Sequence, residues 1–204
     1  MTGSETASAF ELRHAATDRA TIVVVPRRRL FAIDGVGEPT SGSYRLASET
    51  LRAVSETLRH RLRAEGRPDP GRLAIETAWW THPELPPEAM GEAFRDRGSW
   101  HWQQLVEVPP RASDADADAA IDETRRGAGR EAPLVRIVQI EEGRSAQILN
   151  LGADEEPASV GRLAAEIAAA GLRAHGHLHQ IFVSDPDVVG RAKARSILRL
   201  PIEA

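Results

Sequence analysis

The sequence predicts an α+β protein built from two tandem, pseudo-symmetric β-α-β-β units, with helices on one face of an antiparallel sheet and a ligand groove between the halves. Two observations lead to this prediction. Short runs rich in β-branched residues alternate with long apolar stripes of helical spacing, and the order strand, helix, strand, strand occurs twice. Strand runs with one long helix in each half are typical of this architecture.

The first half, about residues 20–110, begins with strands at 21–25 and 30–36. Ser41 or Ser43 can cap a helix that extends to about residue 65, where Gly66 and Pro68 stop it. Residues 73–80 and 99–108 are predicted strands, separated by a proline-rich loop. The apolar stripe of the helix has steps of three and four residues and consists of Ala47, Leu51, Val54, Leu58 and Leu62.

The second half, about residues 111–204, repeats this order. Ser113 and Asp116 resemble a capping box that opens a helix to about residue 126. Residues 134–142 and 145–151 flank a Glu-Gly-Arg turn and are predicted to form a hairpin. A helix at about 155–170 and strands at 177–183 and 196–202 follow. We expect residues 1–19 to be a flexible lead-in and residues 20–204 to form a single domain.

Composition limits the function classes. The chain has 204 residues, no cysteine and a formal net charge of −4. It can bury a sizeable core, it has no thiolate or disulfide chemistry, and its charge gives no general attraction to nucleic acid. No apolar run is long enough to span a bilayer. We therefore expect a cytoplasmic monomer or weak homodimer without nucleic-acid or membrane partners and without a cofactor.

The four tryptophans are concentrated between residues 73 and 108, although only 4% of the chain is aromatic. Tryptophan has a large flat apolar surface and one N–H donor, so the four rings form either a core or a wall for a flat ligand. Strand alternation places Trp79 in the core beneath the helix and Trp80 in the groove, on the face of Glu76. Trp100 and Trp102 point the same way, and residue type alone favours core packing for both.

Five short motifs, in the right order between about residues 20 and 202, resemble the GyrI-like small-molecule-binding domain family. They are Val25-Pro26 with Ile33-Asp34-Gly35, Gly37 and Pro39; Glu76-x-x-Trp79-Trp80; Trp100-x-Trp102; Glu141-Glu142-Gly143 with Ala146-Gln147; and Gln180 to Pro186. The resemblance implies two fused β-α-β-β units with a groove that binds flat, apolar and often cationic compounds.

The tryptophan spacing is similar in particular to that of the cyclopropanoid cyclopropyl hydrolase subfamily. Those enzymes open the cyclopropane ring of duocarmycin- and yatakemycin-type DNA alkylators in an aromatic cage, so the resemblance favours a groove wall for Trp100 and Trp102. One segment departs from the family, which usually has Glu-Ile-Tyr where this chain has Gln180, Ile181 and Phe182. Loss of the glutamate removes the usual counter-charge for a cationic drug, and a neutral ligand fits better.

Glu76 is the first candidate for an acid/base residue. It is flanked by apolar residues on a strand and shares a face with Trp80, so its carboxyl either faces solvent or lies in an apolar site. Tyr44 either fixes the helix start or donates a hydrogen bond into the groove. The predicted ligand-binding residues are Tyr44, Trp80, Trp100, Trp102, Gln147, Gln180 and Phe182.

Other patterns favour ordinary structural roles. His175, His177 and His179 alternate, but no cysteine or suitably spaced carboxylate joins them, so we expect a solvated or groove-rim face and no metal site. Glu142 lies beside the predicted turn and is expected at the surface. The glycines at 35 and 37 do not form a phosphate loop, since no helix start follows them immediately and no Lys-Ser/Thr pair is present.

Two function classes result. The first is a hydrolase that adds water to the cyclopropane ring of such a drug, which would give resistance or detoxification. The second is a non-catalytic protein that sequesters xenobiotics in the same groove. In both classes the partner is a planar aromatic small molecule. A topoisomerase inhibitor ranks lower, because a net charge of −4 offers no evident DNA-mimicking surface.

Overall fold

The computed structural model describes residues 15–68, 71, 73–128 and 132–203, and it confirms the α+β class and the β-α-β-β order. The strands are β1 (Thr21–Val25), β2 (Arg28–Val36), β3 (Ile75–Trp80), β4 (His101–Glu107), β5 (Arg136–Ile140), β6 (Gly143–Leu151), β7 (Arg173–Ala174), β8 (Leu178–Phe182) and β9 (Arg195–Glu203). The α-helices are α1 (Gly42–Ala64), α2 (Pro87–Ala93), α3 (Asp114–Ala128), α4 (Glu156–Ala169) and α5 (Pro186–Val189).

The described chain forms two compact units. The central unit contains Arg27–Leu85 and Asp96–Glu141. The terminal unit contains the residues up to Pro26, Pro86–Arg95 and the residues from Glu142 onward. Each unit therefore consists of several separate segments of the chain.

The sheet of the central unit has the strand order β3-β4-β2-β5, and all its pairings are antiparallel. Helix α1 packs against β2 and β4 and covers one face. The other face carries an apolar cluster of Leu30, Ala32, Ala78 and Leu105, with Val138 and Ile140 packed against it.

Helix α1 forms as its sequence predicts. The Ser41 hydroxyl accepts a hydrogen bond from the Tyr44 N–H and so satisfies a free donor of the first turn. All five residues of the predicted apolar stripe are buried. Helix α3 packs against α1, and its capping box is confirmed, because Ser113 and Asp116 exchange hydrogen bonds of 2.8 and 3.1 Å.

The terminal unit has the antiparallel order β1-β6-β9-β8, and β7 also pairs with β9. Helix α4 packs on β6 and β9 through a buried stripe that includes Val160, Leu163 and Ile167. Helix α2 packs against α4 at a point where two glycines meet: a Cβ on Gly91 would lie 2.9 Å from the Gly161 Cα. The absence of side chains there allows the two backbones to approach closely.

The predicted hairpin around residue 143 is wrong. Strand β5 pairs with β2 in the central unit, whereas β6 pairs with β1 and β9 in the terminal unit. Alternation identifies a strand and its apolar face but not its partner. Helix α2 lies where the sequence predicts a proline-rich loop, because proline is accepted in the first helical turn.

The described residues before β1 form hydrogen bonds with β6. The Leu149 N–H donates to the Thr17 carbonyl at 2.7 Å, and the Gln147 amide donates to the Ala15 carbonyl at 3.0 Å. Residues 1–14 lie outside the described residues. Among those that are described, no helix is both long and apolar enough to cross a bilayer.

Candidate functional site

An aromatic cluster lies between α1 and the central sheet. The Tyr44 ring stacks on Trp79, with centroids 5.6 Å apart, and meets Trp102 in a T-shaped contact at 5.2 Å. The Tyr44 hydroxyl forms a 2.7 Å hydrogen bond with the Thr77 hydroxyl. All three rings are buried, so they form part of the core beneath α1. We refer to Tyr44, Trp79 and Trp102 below as the aromatic cluster.

Gly35 makes room for this cluster. It pairs directly with Trp102 across β2 and β4, and a Cβ at Gly35 would lie 2.1 Å from Trp102 Cζ2. The indole therefore lies across the position that any other side chain would occupy. Gly35, which is part of a motif that resembles the GyrI-like family, thus has a packing explanation.

One cation contacts the cluster. The Arg97 guanidinium lies over the Trp79 ring, 4.8 Å from its centroid, and the residue is 8% exposed. Its backbone is held in a turn, in which the Trp100 N–H donates to the Arg97 carbonyl at 3.1 Å. No pattern in the sequence indicates this contact, because Arg97 is in a polar turn between elements.

The opposite face of the central sheet carries a buried ion pair. Arg28 donates two hydrogen bonds to Glu76, at 2.9 and 3.2 Å, and both side chains are about 5% exposed. Glu107 lies 3.9 Å from the same guanidinium and is 19% exposed. The two hydrogen bonds from Arg28 fix the orientation of the Glu76 carboxylate in this buried position.

Trp80 and two histidines lie on the same side of this sheet as Glu76. Trp80 is partly exposed and stacks on His101 at 5.8 Å with an interplanar angle of 16°. His82 meets the edge of His101 at 6.4 Å. This face therefore combines a buried carboxylate, a flat aromatic surface and imidazoles that can carry a proton.

The terminal unit has a second buried charge cluster, on the sheet face away from α4. Gln147, Arg199 and His179 are direct neighbours across β6, β9 and β8, and all are buried. Arg199 donates to Glu142 at 2.6 and 3.1 Å and to the Gln147 oxygen at 3.4 Å. Glu142 was expected at the surface, but it is buried because it pairs with Arg199.

Gln180 and Phe182 lie on the face of β8 toward α4. The Gln180 amide donates to the Glu156 carboxylate at 2.7 Å and to the Ser196 hydroxyl at 3.4 Å. Glu156 is the first residue of α4, where a negative charge interacts favourably with the helix dipole. A glutamate at position 180 would place two carboxylates in contact, so the chain requires an amide here.

The predicted site residues are thus divided between sheet faces. In the central unit, Glu76 and Trp80 lie together, whereas Tyr44 and Trp102 belong to the layer beneath α1. The expectation that Trp80 and Trp102 line one surface is wrong, because their strand positions have opposite parity. Trp100 is buried just before β4, where its carbonyl accepts from the Gly37 N–H.

In the terminal unit, Gln147 faces away from α4, whereas Gln180 and Phe182 face toward it. The histidine prediction is also corrected: His175 and His177 lie between β7 and β8, and His179 within β8 is buried. Strand β8 begins after His175 and His177, so the three histidines do not share one face of a strand.

Residues that the sequence did not single out are Arg28, Arg97, His101 and Arg199. Three of them are arginines. Because this chain has one lysine and many arginines, the residue type alone did not mark these three as candidates for a site. The signal that could have found Arg28 is its position at the start of the mostly buried strand β2, two and four residues before Leu30 and Ala32 and therefore on their face of the strand.

Two further features of the central unit lie apart from these residues. A cavity of about 770 Å³ is bordered by α1, α3 and residues 132–135, and it includes none of the predicted site residues. At the start of α3, a hydrogen bond from Arg67, together with those from Ser113, lowers the pKa of Asp116 to about 2. This carboxylate stabilises the helix start.

Comparison with known proteins identifies the fold. No protein-family model matches the sequence, and no curated protein matches it significantly. Among solved structures, an uncharacterized conserved protein from Listeria innocua matches with a TM-score of 0.81 and 24% identity over 95% of this chain and 96% of that one.

A protein from Listeria innocua that is described as a hydrolase matches with a TM-score of 0.74 and 22% identity, again over 95% of this chain and 96% of that one. The EcmrR C-terminal domain matches with a TM-score of 0.56 and 10% identity over 91% and 97%. These similarities establish a shared fold, which agrees with the α+β architecture expected from the sequence.

Proposed function

We propose that this protein is a hydrolase that opens the cyclopropane ring of duocarmycin- or yatakemycin-type compounds by addition of water. The observation that carries the proposal is the central sheet face on which the buried Glu76 carboxylate shares a surface with the partly exposed Trp80. The resemblance of the tryptophan motifs to the cyclopropyl hydrolase subfamily supplies the substrate class. The hydrolase from Listeria innocua that shares the fold is consistent with it.

Glu76 is proposed to act as the base. Arg28 fixes the orientation of the carboxylate through two hydrogen bonds, and a carboxylate held in this way can orient a water molecule and take its proton. A positioned base of this kind typically contributes about 10²–10⁴-fold in rate.

The reaction balances with one water. The water oxygen forms a bond to the cyclopropane CH₂ carbon and gives up a proton to Glu76. The C–C bond of the strained ring breaks, and its electron pair passes into the dienone, whose oxygen takes a proton and becomes a phenol. His101, stacked on Trp80, is a group on this face that can deliver that proton.

Trp80 is proposed to bind the planar substrate. An aromatic face also favours the partial positive charge that develops on the attacked carbon, by about 0.5–2 kcal/mol. Opening the ring removes the alkylating group, so the proposed role is detoxification or drug resistance.

Mass spectrometry of a duocarmycin-type compound incubated with the purified protein tests this proposal. We expect a product heavier by one water with the native protein, at least 100-fold less product with Glu76→Gln, and weaker binding with Trp80→Ala. Leu46→Ala, at an exposed position on α1, is the control and should retain native turnover.

Two results would contradict the hydrolase. Recovery of intact compound together with quenched tryptophan emission would assign the protein to the sequestering class. Equal turnover by the native protein and a folded Glu76→Gln variant would remove Glu76 from the reaction.

A further inference from the structure

The cavity between α1, α3 and residues 132–135 of the central unit has the size of a ligand site. Its volume is about 770 Å³, and none of the residues proposed for catalysis borders it. Small-molecule sites typically have volumes of about 300–1,000 Å³ and combine an apolar wall with a few polar groups. The composition of the wall therefore indicates which class of molecule the cavity would take.

The apolar part of the wall comes from side chains that have little cover of their own. Ile121 is the only large apolar residue of α3, whose buried residues Ala117, Ala120 and Thr124 are all small. Ile121 borders the cavity and is only half-buried, and Leu134 borders it with 71% of its surface exposed. An apolar ligand body that covers these two side chains removes them from water, which is favourable.

Two arginines at the end of α3 give the wall a positive charge. Arg125 and Arg126 border the cavity with exposed side chains, and neither side chain forms an ion pair or hydrogen bond with the residues that the structure describes. By contrast, Arg61 and Arg67 each pair with a carboxylate. Asp122 also borders the cavity, so two positive charges and one negative charge leave a net charge of +1. A guanidinium can hold a carboxylate through two parallel hydrogen bonds.

Two buried threonines of the wall determine the orientation of such a ligand. Thr50 donates its hydroxyl proton to the Leu46 carbonyl at 2.8 Å, and Thr124 donates its own to the Thr57 hydroxyl at 3.1 Å. Both hydroxyls therefore present only acceptor positions to the cavity, which do not attract an anion. The acid group of a ligand is held at the arginines, and its apolar body lies in the cavity.

We propose that this cavity is a second ligand site, which takes an amphipathic organic carboxylate. Arg125 and Arg126 hold the acid group, and Ile121 and Leu134 cover the apolar body. A medium-chain fatty acid has this chemistry. The proposal does not depend on the hydrolase activity.

Calorimetric titration of the purified protein with decanoate tests the proposal. We expect saturable binding, weakened about tenfold or more in Arg125→Gln/Arg126→Gln, as loss of charge-assisted hydrogen bonds implies. Leu134→Ser should weaken it about threefold or more. Decylammonium has the same chain with the opposite charge and should bind about tenfold more weakly than decanoate, although the net charge of −4 on the protein attracts it.

Two control variants separate the cavity from other effects. Arg45→Gln/Arg111→Gln removes the same number of positive charges from exposed positions of the central unit outside the cavity, and it should bind decanoate like the native protein. Trp80→Ala should also bind it like the native protein. Because the arginines and Leu134 are exposed, their replacement should leave the thermal unfolding midpoint unchanged, which shows that binding and not folding is affected.

The proposal is overturned if decanoate shows no saturable binding to the native protein, or if Arg125→Gln/Arg126→Gln binds it equally well. Equal weakening in Arg45→Gln/Arg111→Gln would attribute the effect to net charge and would also overturn it. Decylammonium binding as tight as that of decanoate would exclude a carboxylate site. Loss of binding in Trp80→Ala would place decanoate on the sheet face of Trp80 and not in the cavity.

Discussion

The buried pair of Arg28 and Glu76 provides a quantitative test of whether this charge serves the fold or the chemistry. We consider Glu76→Leu, Arg28→Leu and the double variant. Removal of one partner of a buried pair leaves an uncompensated charge and typically costs about 3–5 kcal/mol. Glu107, 3.9 Å from Arg28, can take over part of the pairing, so Glu76→Leu should fall near 3 kcal/mol, the lower end of that range.

Arg28→Leu removes two short donors from Glu76 and should lie higher in the range. The double variant removes both charges and should return to within about 1–2 kcal/mol of the native stability, because leucines suit the neighbouring apolar cluster. Urea unfolding followed by circular dichroism measures all four free energies of unfolding, and the denaturant slope shows whether the variants remain compact.

The outcome that would refute this reasoning is additivity. If the loss in the double variant equals the sum of the two single losses, Arg28 and Glu76 are not energetically coupled and the buried pair is not the unit described above. The double variant also tests the proposed role of Glu76 in the reaction. The double variant should be folded and should add no water to the drug, whereas retained turnover would exclude Glu76 as the base.

Two other predictions concern packing and pH. Gly35→Ala should destabilise the protein by about 1–3 kcal/mol, because its Cβ would overlap the Trp102 ring, and a lowered unfolding midpoint would show this. Asp116→Asn should cost about 1 kcal/mol above pH 5. Because Arg67 holds the pKa of Asp116 below its ordinary value of 3.8, at about 2, the native advantage is complete above pH 4 and disappears as the pH falls from 4 to 2.

Each of these has a matched control. Gly42→Ala, at a helix position with nothing within 4 Å of the new Cβ, should be neutral or stabilising by about 0.4–1 kcal/mol, and an equal loss at both glycines would contradict the packing explanation. Asp118→Asn should not change the pH dependence. If the native protein and Asp116→Asn lose stability in parallel below pH 4, Asp116 is not the group responsible.

The parts of the structure that follow a local period were predictable from sequence. The stripe of α1, the capping box of α3 and the opposite faces of Trp79 and Trp80 all follow from 3.6- or 2-residue spacing, which local geometry enforces. The partner of β5 was not predictable, since a strand with a suitable apolar face can pair with several others.

The candidate site was only partly predictable for a related reason. Glu76 could be placed on the face of Trp80, but the residue that holds it, Arg28, is 48 positions away in sequence. Glu142 looked exposed beside a turn because Arg199, its partner, lies 57 positions away. Trp102 was assigned to a ligand surface by resemblance, whereas its direct opposition to Gly35 places it beneath α1.

The close approach of Gly91 to Gly161 has a consequence for how the chain is made. It holds α2 in the terminal unit, although α2 is flanked in sequence by segments of the central unit, and the chain consequently changes unit four times. During synthesis, the central unit has all its strands once residue 141 has left the ribosome. The terminal unit cannot be completed before β9, at residues 195–203, has been synthesised. Until then β1 and α2 are present, but a middle strand of the unit's sheet is missing.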